Sequence, residues 1–283
     1  MRSVAIPVVL GVLVGPGLGT VSAQTDKDTG AGAGVEVSEE RQMTLPEGRA
    51  FVQVFAEISL STDLALKPIS IAPDLWYGLS DVLTIGLVHS ARGATGFFSV
   101  AGDGLCLTGS DNGCPDVYHN IGLDARYHFY RSGGMTVAAD GGLFARSFDP
   151  FQLALKVGAT GRWQSGELAV ELAPSIFAGL TEREPDAGAG VTVTTTNKEA
   201  LFLPATAIYA LMPKLGLAGQ VALTVPFEET GDTWLLGLSI GAQYMVNEQI
   251  SADLAFGLPA LAGGPDGTGA DARVLTLGVG YAL

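Results

Sequence analysis

The sequence predicts an all-β fold, namely an antiparallel transmembrane β-barrel of about twelve strands in an up-and-down meander. Three observations predict it. Segments of about ten residues alternate apolar and polar positions, as a strand with two unlike faces does. The connections between these segments alternate between tight and longer, and aromatic residues gather at the same end of every second segment.

Composition excludes several other classes of protein. Of 283 residues, 47% are hydrophobic, 16% are charged and 39 are glycine. The chain is therefore too apolar for a disordered protein and too rich in glycine for a helical one. Beyond the N-terminus, no run reaches the roughly 18 apolar residues of a membrane helix. A net charge of -14 argues against a nucleic-acid partner, which needs a basic face.

The N-terminal part predicts export. Residues 1–23 read as a secretory signal, with Arg2, an apolar stretch and the small residues Ser22 and Ala23 at the cleavage site. Residues 24–49 are acidic and rich in glycine, and we expect a flexible periplasmic lead-in there. Residues 50–283 form the predicted barrel.

Twelve segments have the strand pattern, and an even number is typical of single-chain bacterial barrels. They are residues 50–60, 67–78, 82–90, 117–130, 135–146, 151–163, 167–180, 199–212, 215–227, 233–246, 249–258 and 272–283. Tight connections cover residues 79–81, 131–134, 164–166, 213–214 and 247–248. The other set is mostly longer, at 91–116, 181–198, 228–232 and 260–271, with short exceptions at 61–66 and 147–150. Short turns at one end and longer loops at the other indicate a periplasmic and an extracellular end.

Charged residues within the strands fall on one parity, opposite the apolar residues. We predict that they line the lumen, because a charge at mid-bilayer on the lipid face costs about 2–4 kcal/mol. A soluble β-sandwich would instead carry more Lys and Glu on a water-facing surface. The predicted lumen charges are Glu57, Asp74, Asp124, Arg126, Asp140, Arg146, Lys156, Arg162, Glu171 and Asp253.

Aromatic residues mark the end at which the even-numbered strands finish. An interfacial girdle favours rings with a polar edge, and strand propensity alone does not explain their position at one end. The predicted periplasmic girdle is Trp76, Tyr77, Tyr130, Trp163, Tyr209, Tyr244 and Tyr281.

The last predicted strand contains Thr276, Gly278, Tyr281 and Leu283 at a fixed spacing. This pattern resembles the terminal assembly signal of bacterial outer-membrane β-barrel proteins, although their final residue is usually aromatic. The tight hairpin at residues 78–87 also resembles hairpins of that class. The resemblance implies an outer-membrane location, contact with lipid bilayer and lipopolysaccharide, and recognition of the last strand by the barrel-assembly machinery.

The predicted lumen charges give two functional hypotheses. Folding the hairpins places Arg126 near Asp140, Asp140 near Lys156, and Lys156 diagonally near Glu171. Such a ladder is either the constriction of a narrow channel for small polar solutes or a structural network in a closed barrel. A closed barrel would serve a structural or surface-interaction role. An outer-leaflet enzyme is a more distant alternative, since no catalytic spacing of nucleophile and base is recognisable.

The remaining candidates are the two cysteines and the acidic loops. Cys106 and Cys114 lie close together in a loop of an exported protein, so they predict a disulfide. The acidic loops lack the spacing of a calcium-binding loop, so we expect solvated carboxylates and no metal or cofactor.

Deletion of residues 280–283 is expected to block assembly, because it removes most of the terminal signal and exposes the edge of the first strand. Membrane fractionation and a heat-modifiable gel shift measure this. Normal membrane levels of the truncated protein would show that the last strand has been misinterpreted.

Overall fold

The computed structural model describes residues 43–61, 65–97, 102–114, 116–182, 197–227, 234–264 and 269–283. The predicted signal and residues 24–42 of the predicted lead-in lie outside these ranges. Strands dominate throughout. Among the described residues, no helix is long and apolar enough to span a membrane.

The strands follow one another along the chain with short interruptions. They are β1 Ala50–Ser59, β2 Ile69–Ser80, β3 Leu83–Val88, β4 Gly104–Cys106, β5 Tyr118–His119, β6 Ile121–Ser132, β7 Met135–Phe148, β8 Phe151–Ser165, β9 Leu168–Leu172, β10 Ser175–Gly179, β11 Ala200–Met212, β12 Leu215–Pro226, β13 Leu235–Met245, β14 Ile250–Gly263 and β15 Val274–Ala282. One short helix, α1, spans Ala91–Thr95.

The wall is a closed antiparallel barrel of 12 strands in meander order, which confirms the predicted fold class. β1 pairs with β2 on one side and with β15 on the other, with Phe51 opposite Ala282 and Ser59 opposite Val274. The last strand therefore removes the free edge of the first. β9 and β10 occupy one place in the wall, because both lie between β8 and β11. Pro174 separates them, since a proline has no N–H for the ladder.

The outer face of the wall is apolar and the inner face is polar. Leu123 and Ile240 are each 67% exposed in mid-strand, whereas their polar neighbours along the strands are buried. Every backbone group of a closed barrel pairs within the wall, so such a surface is stable in a bilayer. On β15, Thr276 and Gly278 face inward, and Tyr281 and Leu283 lie on the outer side.

One residue of the predicted aromatic girdle points inward, and the others lie on the outer face of the wall. Trp76 is 2% exposed and points into the lumen, whereas Tyr77 is 43% exposed on the outer face. Consecutive strand residues face opposite sides, so only one of the two can meet lipid. Trp76 packs over Gly86 of β3, where a Cβ would collide with its ring. The outward aromatic residues are Tyr77, Tyr130, Trp163, Tyr209, Tyr244 and Tyr281.

The third wall strand is shorter than predicted, and the chain after it turns into the lumen. β3 ends at Val88, and α1 follows with Ser90 as its N-cap. We call residues 89–97 and 102–103 the inserted segment. The sequence predicted an exposed outer loop over residues 91–116, and this prediction is wrong for the inserted segment. β4 takes the place of β3 further along β2, and β5 pairs with β4.

Two shorter pieces complete the description. Cys106 and Cys114 form a disulfide with a Cα–Cα distance of 5.9 Å. Residues 43–49 lie against the periplasmic turn, where the Leu45 N–H donates to Thr84 Oγ1 at 2.7 Å and the Thr44 hydroxyl donates to the Asp81 carbonyl at 2.7 Å. The end of the predicted flexible lead-in is therefore attached to the barrel.

Substitution of Gly86 by Ala is expected to lower the free energy of unfolding by about 1–3 kcal/mol, because the new methyl group would displace the buried Trp76 ring. Urea titration followed by heat-modifiable gel mobility measures the change. Gly161→Ala is the matched control, because a Cβ there meets nothing within 4 Å. Equal stability of the two variants would contradict the packing of Trp76 described above.

Candidate functional site in the lumen

One side of the lumen carries three ion pairs, and we call it the paired wall (β6 to β9). Arg126 Nε donates to Asp140 Oδ1 at 2.5 Å, and the two residues are direct partners between β6 and β7. Arg162 Nε donates to Glu171 Oε2 at 2.9 Å, again between directly opposed residues. Each of these cations therefore has its own carboxylate within the wall.

The third ion pair crosses a strand. Lys156 Nζ donates to Asp124 Oδ2 at 2.7 Å, although β7 lies between their strands. Gly142 is the β7 residue opposite both of them, and a Cβ there would lie 2.8 Å from Asp124 Oδ1. The glycine leaves room for the lysine to pass. Arg126, Asp140, Lys156 and Glu171 line one cavity, so they lie close together as the predicted ladder requires. The ion pairs differ from that ladder in two places, because Lys156 donates to Asp124 and Glu171 accepts from Arg162.

The opposite side of the lumen carries carboxylates whose hydrogen-bond donors are neutral; we call it the acid wall (β14, β1 and β2). Asp253 accepts from Gln53 Nε2 at 2.9 Å and from Gln243 Nε2 at 2.8 Å. Glu57 accepts from the Ser70 hydroxyl at 3.3 Å.

Asp74, the third carboxylate of the acid wall, holds the start of the inserted segment. Asp74 Oδ1 accepts from the His89 N–H at 2.7 Å and the Ser90 N–H at 3.0 Å, and Asp74 Oδ2 accepts from the Ser90 hydroxyl at 2.5 Å. The Ser90 hydroxyl also accepts from the Gly93 N–H at 2.8 Å, which caps α1. The aspartate therefore fixes the point at which the chain leaves the wall.

The inserted segment crosses the lumen from the acid wall to β12 and β13. The Arg92 guanidinium lies 5.0 Å from the centroid of the Phe55 ring and is 2% exposed. The carboxylates of Asp253, Asp74, Glu57 and Glu171 attract it through space. At the far end, Gln220 Nε2 donates to the Gly96 carbonyl at 2.7 Å. Phe97 packs against Gly237, where a Cβ would collide with its ring.

The space that remains beside α1 is small. A cavity of about 20 Å³ lies between α1 and the paired wall, where Arg126, Lys156 and Glu171 line it. This volume holds about one water molecule. Among the described residues, the space between α1 and the paired wall therefore admits no larger solute.

The inward face of β11 to β15 explains why the inserted segment fits. Most of its side chains are small, so the wall itself does not fill the space beside it. The small inward residues are Thr206, Ala210, Gly216, Ala218, Ala222, Gly237, Ser239, Ser251, Ala255, Gly257, Thr276, Gly278 and Gly280.

Further ionisable groups lie where the inserted segment returns to the wall at β4. Burial raises the pKa of Asp103 to about 7, and Asp74 adds to this effect while Arg146 opposes it. The Arg146 guanidinium lies 5.6 Å from the centroid of the buried Phe177 ring, on the inner side.

Sequence reasoning missed Arg92 and Phe55. Arg92 lies in a region without strand periodicity, and a helix of five residues is too short to give a helical pattern. Phe55 has the parity of Gln53 and Glu57 on β1, and this alternation was a signal that could have placed it in the lumen.

A closed wall with an apolar outer face and buried charges inside defines a transmembrane β-barrel. The fold is similar to that of a NanC porin, with a TM-score of 0.56 and 10% identity over 82% of this chain and 100% of that one. It is also similar to a KdgM porin in complex with disordered oligogalacturonate, with a TM-score of 0.51 and 8% identity over 82% of this chain and 98% of that one. No family model and no curated protein sequence matches the chain. The similarity therefore lies in the fold.

Replacement of Arg162 by Met is expected to lower the free energy of unfolding by about 3–5 kcal/mol, because Glu171 would keep a buried charge without its partner. The double variant Arg162→Met with Glu171→Gln is expected to recover most of this loss, since both charges are then absent. Urea titration of the four proteins in this cycle measures the coupling. Additive losses would contradict a direct ion pair.

Proposed function

We propose that this protein is a narrow channel for small polar solutes and that the inserted segment closes it in the structure described here. The proposal rests on which part of the chain closes the lumen. The lumen is blocked mainly by a segment that contributes no residue to the ladder of the wall, because β4 takes over the pairing with β2. β3 pairs with β2 from Leu75 to Ser80 and β4 pairs with it at Ser70 and Ile71, so these parts of the wall can stay paired while the segment moves.

The contacts of the inserted segment support a reversible closure. Asp74 holds its beginning and Gln220 holds its far end through hydrogen bonds, each worth about 0.5–3 kcal/mol net. Its larger apolar contact is Phe97 against Gly237. These contacts are side-chain hydrogen bonds and packing, whereas the opening of a wall strand breaks backbone hydrogen bonds along its whole length on both sides.

The charges inside the lumen favour small solutes that are neutral or positive. Acidic side chains outnumber basic ones there: Glu57, Asp74, Asp103, Asp124, Asp140, Glu171 and Asp253 against Arg92, Arg126, Arg146, Lys156 and Arg162. The similar KdgM porin is named with oligogalacturonate, which is a polyanion. The fold likeness supports a channel, whereas this charge balance is unfavourable for a polyanion.

The second candidate is a closed barrel with a structural or surface-interaction role. The small cavity and the internal ion pairs of the paired wall favour it. Planar-bilayer recording separates the two functions. A channel gives discrete conductance steps that begin and end with movement of the inserted segment, and a closed barrel gives none.

A disulfide between the inserted segment and the wall tests the proposed gate. A Cβ at position 96 would lie 3.9 Å from the Ala173 Cβ, within the range of about 3.5–4.5 Å for a disulfide. The Gly96→Cys, Ala173→Cys variant is expected to lose its conductance steps when oxidised and to regain them with mild reductant.

Two controls separate the effect of the new disulfide from the effects of the substitution and of the reductant. Gly96 has φ +79°, so the single variant Gly96→Cys carries the backbone strain alone. Wild-type protein with the same reductant reports any effect on the Cys106–Cys114 bond. Equal conductance of the oxidised and reduced double variants would reject the inserted segment as the gate.

A further inference from the structure

We propose that the acid wall and the Phe55 ring form a binding site for organic cations with a guanidinium or amine head, and that Arg92 occupies this site as a ligand tethered to the gate. Passage of such a cation through the barrel rests on the proposed channel function. Binding of the cation does not, and the two can be measured separately.

The two walls differ in where the cations beside their carboxylates come from. In the described part of the chain, the carboxylates of the paired wall each have a cation on the wall, namely Arg126, Lys156 or Arg162. The hydrogen bonds to Asp253 and Glu57 come from amides, a hydroxyl and a backbone N–H, which carry no charge. A buried carboxylate that remains charged needs a positive partner to offset its desolvation. On this side the positive partner comes from Arg92 of the inserted segment.

Two glutamine side chains hold the Asp253 carboxylate in a fixed orientation. Gln53 of β1 and Gln243 of β13 donate to different oxygens of Asp253 at 2.9 and 2.8 Å. These two strands lie on either side of β14 and β15 in the wall, so the carboxylate is oriented from both directions. A ligand that replaces Arg92 therefore meets a carboxylate that needs no rearrangement.

The Phe55 ring indicates the chemical class of the cation. The Phe55 ring is almost completely buried and lies under the Arg92 guanidinium at 5.0 Å. Gly278 leaves room for the ring, because a Cβ there would lie 3.1 Å from Phe55 Cδ1. An aromatic face beside carboxylates attracts guanidinium and ammonium groups by its quadrupole. Among the described residues no group of three His, Cys, Asp or Glu side chains suits a metal ion, so the organic cation fits this site better.

The carboxylates of the site also hold the segment that closes the lumen. Arg92 lies in α1, whose beginning is held by Asp74, itself a carboxylate that attracts Arg92. A solute cation that enters the acid wall competes with Arg92 for the same carboxylates. Since a tethered group acts at an effective concentration in the millimolar range, a solute at similar concentration displaces it and favours the open gate.

The test uses the full chain with Arg92→Ala, which removes the tethered cation and leaves the carboxylates. N-ethylguanidinium is the probe because it has the head group of arginine, and N-ethylurea is its neutral counterpart. Calorimetry on the refolded barrel is expected to show that N-ethylguanidinium binds the variant at least about tenfold more tightly than it binds the wild type, and more tightly than N-ethylurea binds the variant.

The control variants locate the binding. Addition of Asp253→Asn to Arg92→Ala is expected to abolish the preference for the cation, since it removes the carboxylate that Gln53 and Gln243 orient. Asp271→Asn removes an exposed charge outside the lumen and is expected to leave binding unchanged. Equal affinity for the two probes, or a preference that persists without Asp253, would overturn the proposal.

Failure of Arg92→Ala to fold is also informative. In that case N-ethylguanidinium is added during refolding, and it is expected to restore the heat-modifiable band while N-ethylurea does not. No rescue would overturn the proposal. Conductance of the same proteins tests the channel independently. Binding without conductance steps would support the site and reject the channel. Conductance steps without a preference for the cation would support the channel and reject the site.

Discussion

Closure of the wall between β1 and β15 decides on which side every side chain of the barrel lies. Once Phe51 pairs with Ala282, the parity of each strand is fixed relative to its neighbours. A shift of β1 by one residue would turn Glu57 towards lipid, at a cost of about 2–4 kcal/mol for a charge near mid-bilayer. The hydrogen-bonded edge and the sorting of charges therefore stabilise the same register. The charged residues of the paired wall and the acid wall face the lumen as a consequence.

The strand pattern is readable from the sequence because a bilayer imposes a strict alternation on each strand. Predicted and observed strands agree closely, for example residues 135–146 against Met135–Phe148. The inserted helix follows from a contact between distant residues, namely Asp74 of β2 with Ser90. No local pattern contains that contact. Trp76 is a different case, since the alternation that places Tyr77 on the lipid side already places Trp76 inside.

Glycine determines which of the predicted charge pairs form. Direct cross-strand neighbours such as Arg126 and Asp140 follow from the register of one hairpin. The pair of Lys156 and Asp124 requires three strands and the absence of a side chain at Gly142. A prediction that considers charges alone gives Lys156 to the nearest acid, Asp140. The paired wall therefore depends on a glycine that carries no charge itself.

The shortness of β3 couples the gate to the integrity of the wall. β3 pairs with β2 only from Leu75 to Ser80, so the remaining part of β2 would be an open edge in the bilayer. β4 covers that edge at Ser70 and Ile71, and the disulfide at Cys106 ties β4 to the chain before β5. The inserted segment lies at the gap between β3 and β4, where the His89 and Ser90 N–H groups donate to the Asp74 side chain and the His89 ring contacts the Pro73 carbonyl. Movement of the segment therefore has to leave the backbone of residues 72–74 to water in the lumen and not to lipid, which is the physical condition that a gate inside a membrane barrel has to meet.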